Sequence, residues 1–319
     1  MVIKKTKKQL VDGLKKENLK FNEFSLCHEG NYSASDADWN YKDIPHLHHV
    51  HQLAEAVQSY ADDGTIANIV IQKILGVKIP LAVYIYENSP TSQVYYTASF
   101  FSVLIMESVY DEIAPNRTRV TTTYCIGSSK LFTWTFPILK WLIKRNYRDL
   151  MSTDIPMRER RGQLRSWGYE FQKTTPTYSY VKSINISGTN VTPPVAPLHS
   201  DTTEFIIDAI LPGNGEYTWG RDDAWGLRLV RVDNTLKLFA RMCHHEGASL
   251  DAQPCKNDKI QCPWHGKLVS PLATFQLKNN EPQSSATKFH KITYINDTLN
   301  IFLKNTVDST LSASACLID

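Results

Sequence analysis

Two short stretches constrain this chain more than anything else in it: "CHHEGASL", residues 243–250, and "CPWHGK", residues 262–267. Their spacing is Cys243-x-His245, sixteen intervening residues, then Cys262-x2-His265. Each stretch offers one soft thiolate and one imidazole from a tight loop, and four such ligands make a metal-binding set. Zinc accepts mixed Cys and His ligands, but zinc fingers pair like with like in C-x2-C and H-x3-5-H units. One Cys plus one His per loop suits a binuclear cluster instead, with both thiolates on one iron and both imidazoles on the other.

The loops sit among short apolar segments, "GLRLVRV", "TLKLFARM", "KITYI" and "TLNIFL", which predict a small β domain over residues 203–305. Length and a hydrophobic fraction of 42% allow a second, larger core before it. Residues 172–202, with Pro176, Pro193, Pro194 and Pro197 among Ser, Thr and Asn, have linker composition. Residues 66–126 are rich in Val, Ile, Tyr, Phe and Thr and are broken by turn signals at "NSP" and "APN", which predicts a run of strands. The period then changes: "FPILKWLIKRNYRDLMSTDIPMRERRGQLRSWGYEF" predicts a helix with a break near Pro156. "PHLHHVHQLAEAVQSYA" predicts a short helix with Pro45 in its first turn and Gly64 beyond its end. The expected fold is α+β: a basic N-terminal helix, an antiparallel sheet curled around a helix (residues 1–171), the linker, the small all-β domain, and a tail from 306 to 319. A sheet of that shape encloses a cavity, here expected to be apolar.

"CHHEGASL" and "CPWHGK" resemble the paired loops of Rieske [2Fe–2S] domains, and the resemblance extends over residues 203–305. It implies that Cys243 and Cys262 hold one iron and His245 and His265 the other, with Gly247 and Gly266 letting the backbone turn close to the sulfides. His244 and Cys255 fall outside the family pattern. Ala248 and Trp264 stand where respiratory Rieske proteins carry two further cysteines, so the chain resembles the unstapled ferredoxin and oxygenase kind. Glu246 replaces an Arg common in oxygenases.

Four of the ten histidines, His46, His48, His49 and His51, lie within "DWNYKDIPHLHHVH". A Trp-bearing strand leading into D-x2-H-x4-H resembles the entry to the catalytic domain of Rieske oxygenases, a helix-grip, START-like fold. The resemblance implies His46 and His51 as ligands of a mononuclear Fe(II), and Asp43 as a carboxylate bridging from a neighbouring subunit's cluster. Such a site needs two neutral imidazoles and one carboxylate on one face of the ion. An x4 spacing is awkward on a regular helix and calls for a distorted first turn. His46 with His49, or His48 with His51, are the regular-helix alternatives. The third ligand is expected from the late helix: Asp154, with Asp149 and Glu159 in reserve. Familiar oxygenases place the Rieske domain first; this chain reverses the order.

Composition narrows the partners. A net charge of +3 without a basic, aromatic-interleaved stripe argues against nucleic acid. The N-terminal stretch lacks the apolar core of a signal peptide, and no apolar run reaches membrane-spanning length. The expectation is a soluble, cytoplasmic oxygenase, with a [2Fe–2S] cluster and Fe(II) as cofactors. Its partners would be a reductase or ferredoxin, O2 and an apolar small molecule, and it is expected to form a homo-oligomer. The rival expectation is a Rieske electron carrier fused to a lipid- or small-molecule-binding domain without iron chemistry of its own.

Overall fold

The computed structural model describes residues 4–51, 54–62, 64–74, 77–99, 101–166, 202–208, 215–221, 225–243, 245–271, 273–278, 281–283, 290–295 and 298–304. These fall into two compact units, one containing the described residues up to 166 and the other those from 202 onward. Apart from Thr202, the expected linker lies outside the described residues, as do the tail and Cys316.

The first unit opens with α1 (Lys7–Lys16), started by a capping box in which Thr6 and Gln9 satisfy each other's backbone N–H groups. There follow β1 (Lys20–Gly30), α2 (Ala34–Lys42), α3 (His46–His49), β2 (Ala54–Asp62), β3 (Thr65–Ile74), β4 (Val77–Ser89), β5 (Ser92–Ala98), β6 (Ser102–Ala114) and β7 (Arg117–Ser128). A 3-10 turn (Lys130–Thr135) then leads into α4 (Phe136–Ser166). The strands form one antiparallel sheet in the order β1-β7-β6-β5-β4-β3-β2. Alternation sorts its two faces. Cys125, Ile105 and Val94 pack with Val11 of α1 on one side. On the other, Tyr110 and Val120 pack with Tyr32, Ala37 and Ile155, and Tyr124 meets Tyr147 of α4 edge-on. This is the expected α+β sheet with a long helix against it.

Three expectations need correction. Residues 54–62 are a strand, not the continuation of a helix: Ala, Glu and Gln favour helix locally, but pairing along β3 through a turn at Gly64 prevails. Helix α4 runs unbroken through Pro156 for 31 residues, because packing along the sheet outweighs the one hydrogen bond that Pro forfeits. Trp39 lies on α2, not on a strand.

Much of the helix-facing interior is polar. Asp36, fully buried, accepts from Arg161 Nε at 3.1 Å and Arg165 Nε at 3.0 Å, and the Arg161 guanidinium lies 4.0 Å over the Trp39 ring. Removing one partner of such a pair leaves a buried charge uncompensated. Asp36→Ala is therefore expected to cost about 3–5 kcal/mol of stability, read as a fall in the denaturant midpoint of the first unit.

The second unit contains β8 (Thr202–Asp208), β9 (Gly215–Arg221), β10 (Trp225–Val232), β11 (Thr235–Ala240), β12 (Cys255–Lys256), β13 (Lys259–Gln261), β14 (Leu268–Val269), β15 (Ala273–Lys278), β16 (Glu281–Gln283), β17 (His290–Ile295) and β18 (Thr298–Lys304). They make three antiparallel sheets, ordered β16-β15-β11-β10-β9, β12-β13-β14 and β17-β18-β8. All four apolar segments singled out from sequence are strands.

Candidate metal centres

The two Cys/His loops of the second unit are built alike. In the first, Cys243 N–H donates to Ala248 O (2.8 Å) and Gly247 N–H to Cys243 O (2.9 Å). In the second, Cys262 N–H donates to Lys267 O (2.7 Å) and Gly266 N–H to Cys262 O (2.9 Å). Gly247 and Gly266 each take a positive φ, 86° and 66°, which a side chain would strain. The same five-residue turn thus presents one Cys and one His twice. Both cysteines are buried with Ala248, Leu250, Ile260 and Phe239, and Trp264 packs against them.

Like faces like across the two loops. His245 Nδ1 and His265 Nδ1 lie 3.2 Å apart with their rings edge-on. The Cys243 thiol donates to Cys262, which falls to about 5 on that account and through His265 beside it, while Cys243 is pushed well up. Two adjacent buried thiolates repel each other and two facing imidazole lone pairs do the same, unless cations lie between them. The donor set therefore fits a binuclear iron–sulfur cluster, thiolates at one iron and Nδ1 atoms at the other. Arg228, itself buried, donates to Leu250 O (2.6 Å) and Gln253 O (2.7 Å), and Arg241 pairs with Asp251 (2.7 Å), holding the first loop at its base. Cys255 lies on β12 opposite Ile260 and packs against the same apolar cluster; His244 lies outside the described residues.

In the first unit the structure brings His46, His51 and Asp154 together. One ligand atom from each lies within 4.8 Å of the others. His51 Nε2 is 2.9 Å and His46 Nε2 3.4 Å from Asp154 Oδ1, and all three atoms are buried without a well-formed hydrogen bond. The opposite ring nitrogens are committed. His46 Nδ1 faces the Asp43 carbonyl oxygen, which only accepts. His51 Nδ1 lies 3.0 Å from Thr153 Oγ1, whose own proton goes to Leu150 O (2.9 Å). Both imidazoles therefore carry a proton on Nδ1 and aim Nε2 at the carboxylate. Burial opposes a charge on His46, but Asp154 and Asp43 outweigh it and hold the imidazole up to about 9. Burial would likewise raise Asp154, and the His46 and His51 imidazoles beside it, with the Arg158 charge, hold it well below the carboxylate range. Two imidazoles around one carboxylate oxygen in a dry site could hold a divalent metal in place of the proton they otherwise share.

No helical distortion is needed to reconcile the spacing. Helix α3 ends at His49, with Val50 N–H closing the last turn on His46 O, and His51 reaches the site from the bend beyond. His48 and His49 stack edge-on with each other at 4.8 Å and are exposed. Asp149 is exposed; Glu159 accepts from Asn31 N–H instead. Asp43 is buried, its carboxylate 3.5 Å from His46 Nδ1.

Sequence reasoning missed the shell behind Asp154. Arg158, fully buried one turn on, reaches Asp154 (3.7 Å), donates twice to Asn40 Oδ1 (2.9 and 2.7 Å) and once to His28 Nε2 (2.8 Å). His28 Nδ1–H in turn donates to Tyr147 (2.6 Å). The i, i+4 spacing of Asp154 and Arg158 was a usable signal. Burial, then the neighbouring Arg158 charge, brings His28 down to about 3. The unfolded chain then binds the extra proton between about pH 6.5 and 3, so stability falls as pH drops through that window. His28→Gln should flatten this slope in denaturation curves recorded across pH.

With this geometry in view, residues 214–291 match the family model of the Rieske [2Fe-2S] domain. The match covers this part of the chain alone and implies a [2Fe–2S] cluster and an electron-transfer role for it. No curated protein matches the chain in sequence. Similar solved structures include the di-domain aromatase/cyclase BexL from the BE-7585A biosynthetic pathway (9% identity, TM-score 0.39, 44% of this chain and 50% of that one). The Zhui aromatase/cyclase from Streptomyces sp. R1128 is another (10%, 0.40, 44% and 96%). Dicamba monooxygenase bound to 3,6-dichlorosalicylic acid is a third (11%, 0.37, 46% and 51%). The chain spans about half the length of BexL and of dicamba monooxygenase. Among the described residues no helix is long and apolar enough to cross a membrane.

Proposed function

We propose that the protein is a cytoplasmic Rieske-type oxygenase acting on an apolar or aromatic small molecule, its first unit catalytic and its second the electron carrier. The observation that carries this reading is the convergence of His46 Nε2, His51 Nε2 and Asp154 Oδ1, with both Nδ1 atoms tied to acceptors. When bound, a ferrous ion there would supply oxygen activation and the [2Fe–2S] cluster one-electron transfer from a reductase or ferredoxin. The chain's own part is orientation. Thr153 and the Asp43 carbonyl fix the two rings, and Arg158 steadies the second carboxylate oxygen of Asp154. We assign Asp43, buried beside His46, the relay between subunits of a homo-oligomer rather than ligation.

Metal analysis tests this directly. Protein prepared anaerobically with ferrous iron is expected to contain three irons and two acid-labile sulfides per chain. Two and two would favour the other reading, a Rieske carrier joined to a small-molecule-binding domain. The polar interior favours neither reading by itself.

A further inference from the structure

Helix α4 turns Tyr147, Met151, Asp154 and Arg158 inward, and its opposite face serves none of the sites above. Leu131, Trp134, Ile138 and Trp141 line that face, 75%, 67%, 52% and 56% exposed. Steps of three within the 3-10 turn, then of four and three in the helix, bring all four into one stripe. Single exposed apolar residues are ordinary; a continuous stripe with two tryptophans marks a docking surface.

The charges around it say what docks. Lys130 stands at one end of the stripe and Lys144, Arg145 and Arg148 at the other, all exposed. Residues 129–148 contain no Asp or Glu. The Arg145 guanidinium lies 5.8 Å over the Trp141 ring, keeping a cation beside an indole. Tryptophan with lysine and arginine at its rim matches a lipid headgroup layer, where the indole enters and the cations meet phosphate. We propose that this face seats the protein on an anionic lipid surface. The association is peripheral, since no described helix is of spanning length and apolarity. It holds whether or not the first unit binds iron.

The test is sedimentation of the full chain with phosphatidylcholine vesicles made with and without phosphatidylglycerol. Binding is expected only with phosphatidylglycerol, accompanied by a blue shift of tryptophan emission. Trp134→Ala with Trp141→Ala should weaken it by about tenfold or more, and Lys144→Glu by about fivefold. High salt should release the protein. All three side chains are exposed, so an unchanged melting curve verifies that the variants fold. No sedimentation of the wild-type chain, or equal sedimentation of the double tryptophan variant, overturns the proposal. So does either rival occupant. A second copy would appear as a lipid-free dimer that the double variant dissolves. Cover from elsewhere in the chain would appear as Trp134 emission shielded from iodide without lipid.

Discussion

His46→Ala and His51→Ala are each expected to lower the iron content from three to two per chain and to abolish oxygen-dependent turnover, with the [2Fe–2S] absorbance unchanged. The reason lies in the donor count. Each imidazole supplies one of three ligand atoms, and among the described residues no further His, Cys or carboxylate joins the group, so its loss leaves two. The two metal centres are built on separate units, so the cluster should not register the change. Graded variants separate ligation from support. Thr153→Val removes the acceptor that orients His51 and should weaken iron binding about 10–100-fold. Asp43→Asn keeps the backbone carbonyl that fixes His46, so iron should remain while its reduction slows. Single-turnover reaction of pre-reduced protein with oxygen reads the two effects apart. A wild-type chain that takes up no third iron under anaerobic loading would end the oxygenase reading, and the three side chains would then be a buried ion-paired cluster.

Cys243→Ser and His265→Ala are expected to yield colourless protein whose second unit melts without cooperativity. Around the ligands the apolar cluster is small and the regular pairing short. The β12-β13-β14 sheet has strands of two or three residues, and the two five-residue turns hold their shape through a few backbone bonds. Four ligands facing one another in like pairs are stable only around a metal, so cluster loss removes folding free energy from this unit. The first unit's circular dichroism and its Trp39–Arg161 core should persist. Red-brown wild-type protein with the absorption of a His-ligated [2Fe–2S] centre is the control. A colourless wild type that holds zinc and keeps a folded second unit would refute the cluster assignment.

The two centres were legible in the sequence to different depths. The Cys/His loops were readable as a pair of like turns, because each Cys and its His lie within one turn. The turns at Gly247 and Gly266 then follow from local backbone preference alone. His46, His51 and Asp154 could be nominated from pattern, but spacing could not choose between His46 with His51 and the regular-helix pairs. The choice depends on where α3 ends, and the beginning of a strand at Ala54 determines that. The strand itself was misread, because Ala, Glu and Gln describe a local preference that pairing with β3 overrides.

By itself, the sequence determined the paired Cys/His turns of the second unit, the strand run of the first and the presence of a long helix after it. Each rests on residues close together in the chain. Only the tertiary structure decided which face of α4 is the interior. Asp154, Arg158, Arg161 and Arg165 recur at i, i+4, i+7 and i+11 along the inner face, while Trp134 and Trp141 stay exposed. The charged face can be the buried one because Asp36, Asn40 and His28, more than a hundred residues away, satisfy its charges. A charge can be buried only where partners compensate its desolvation, and partners that distant are brought together by the fold, not by the spacing.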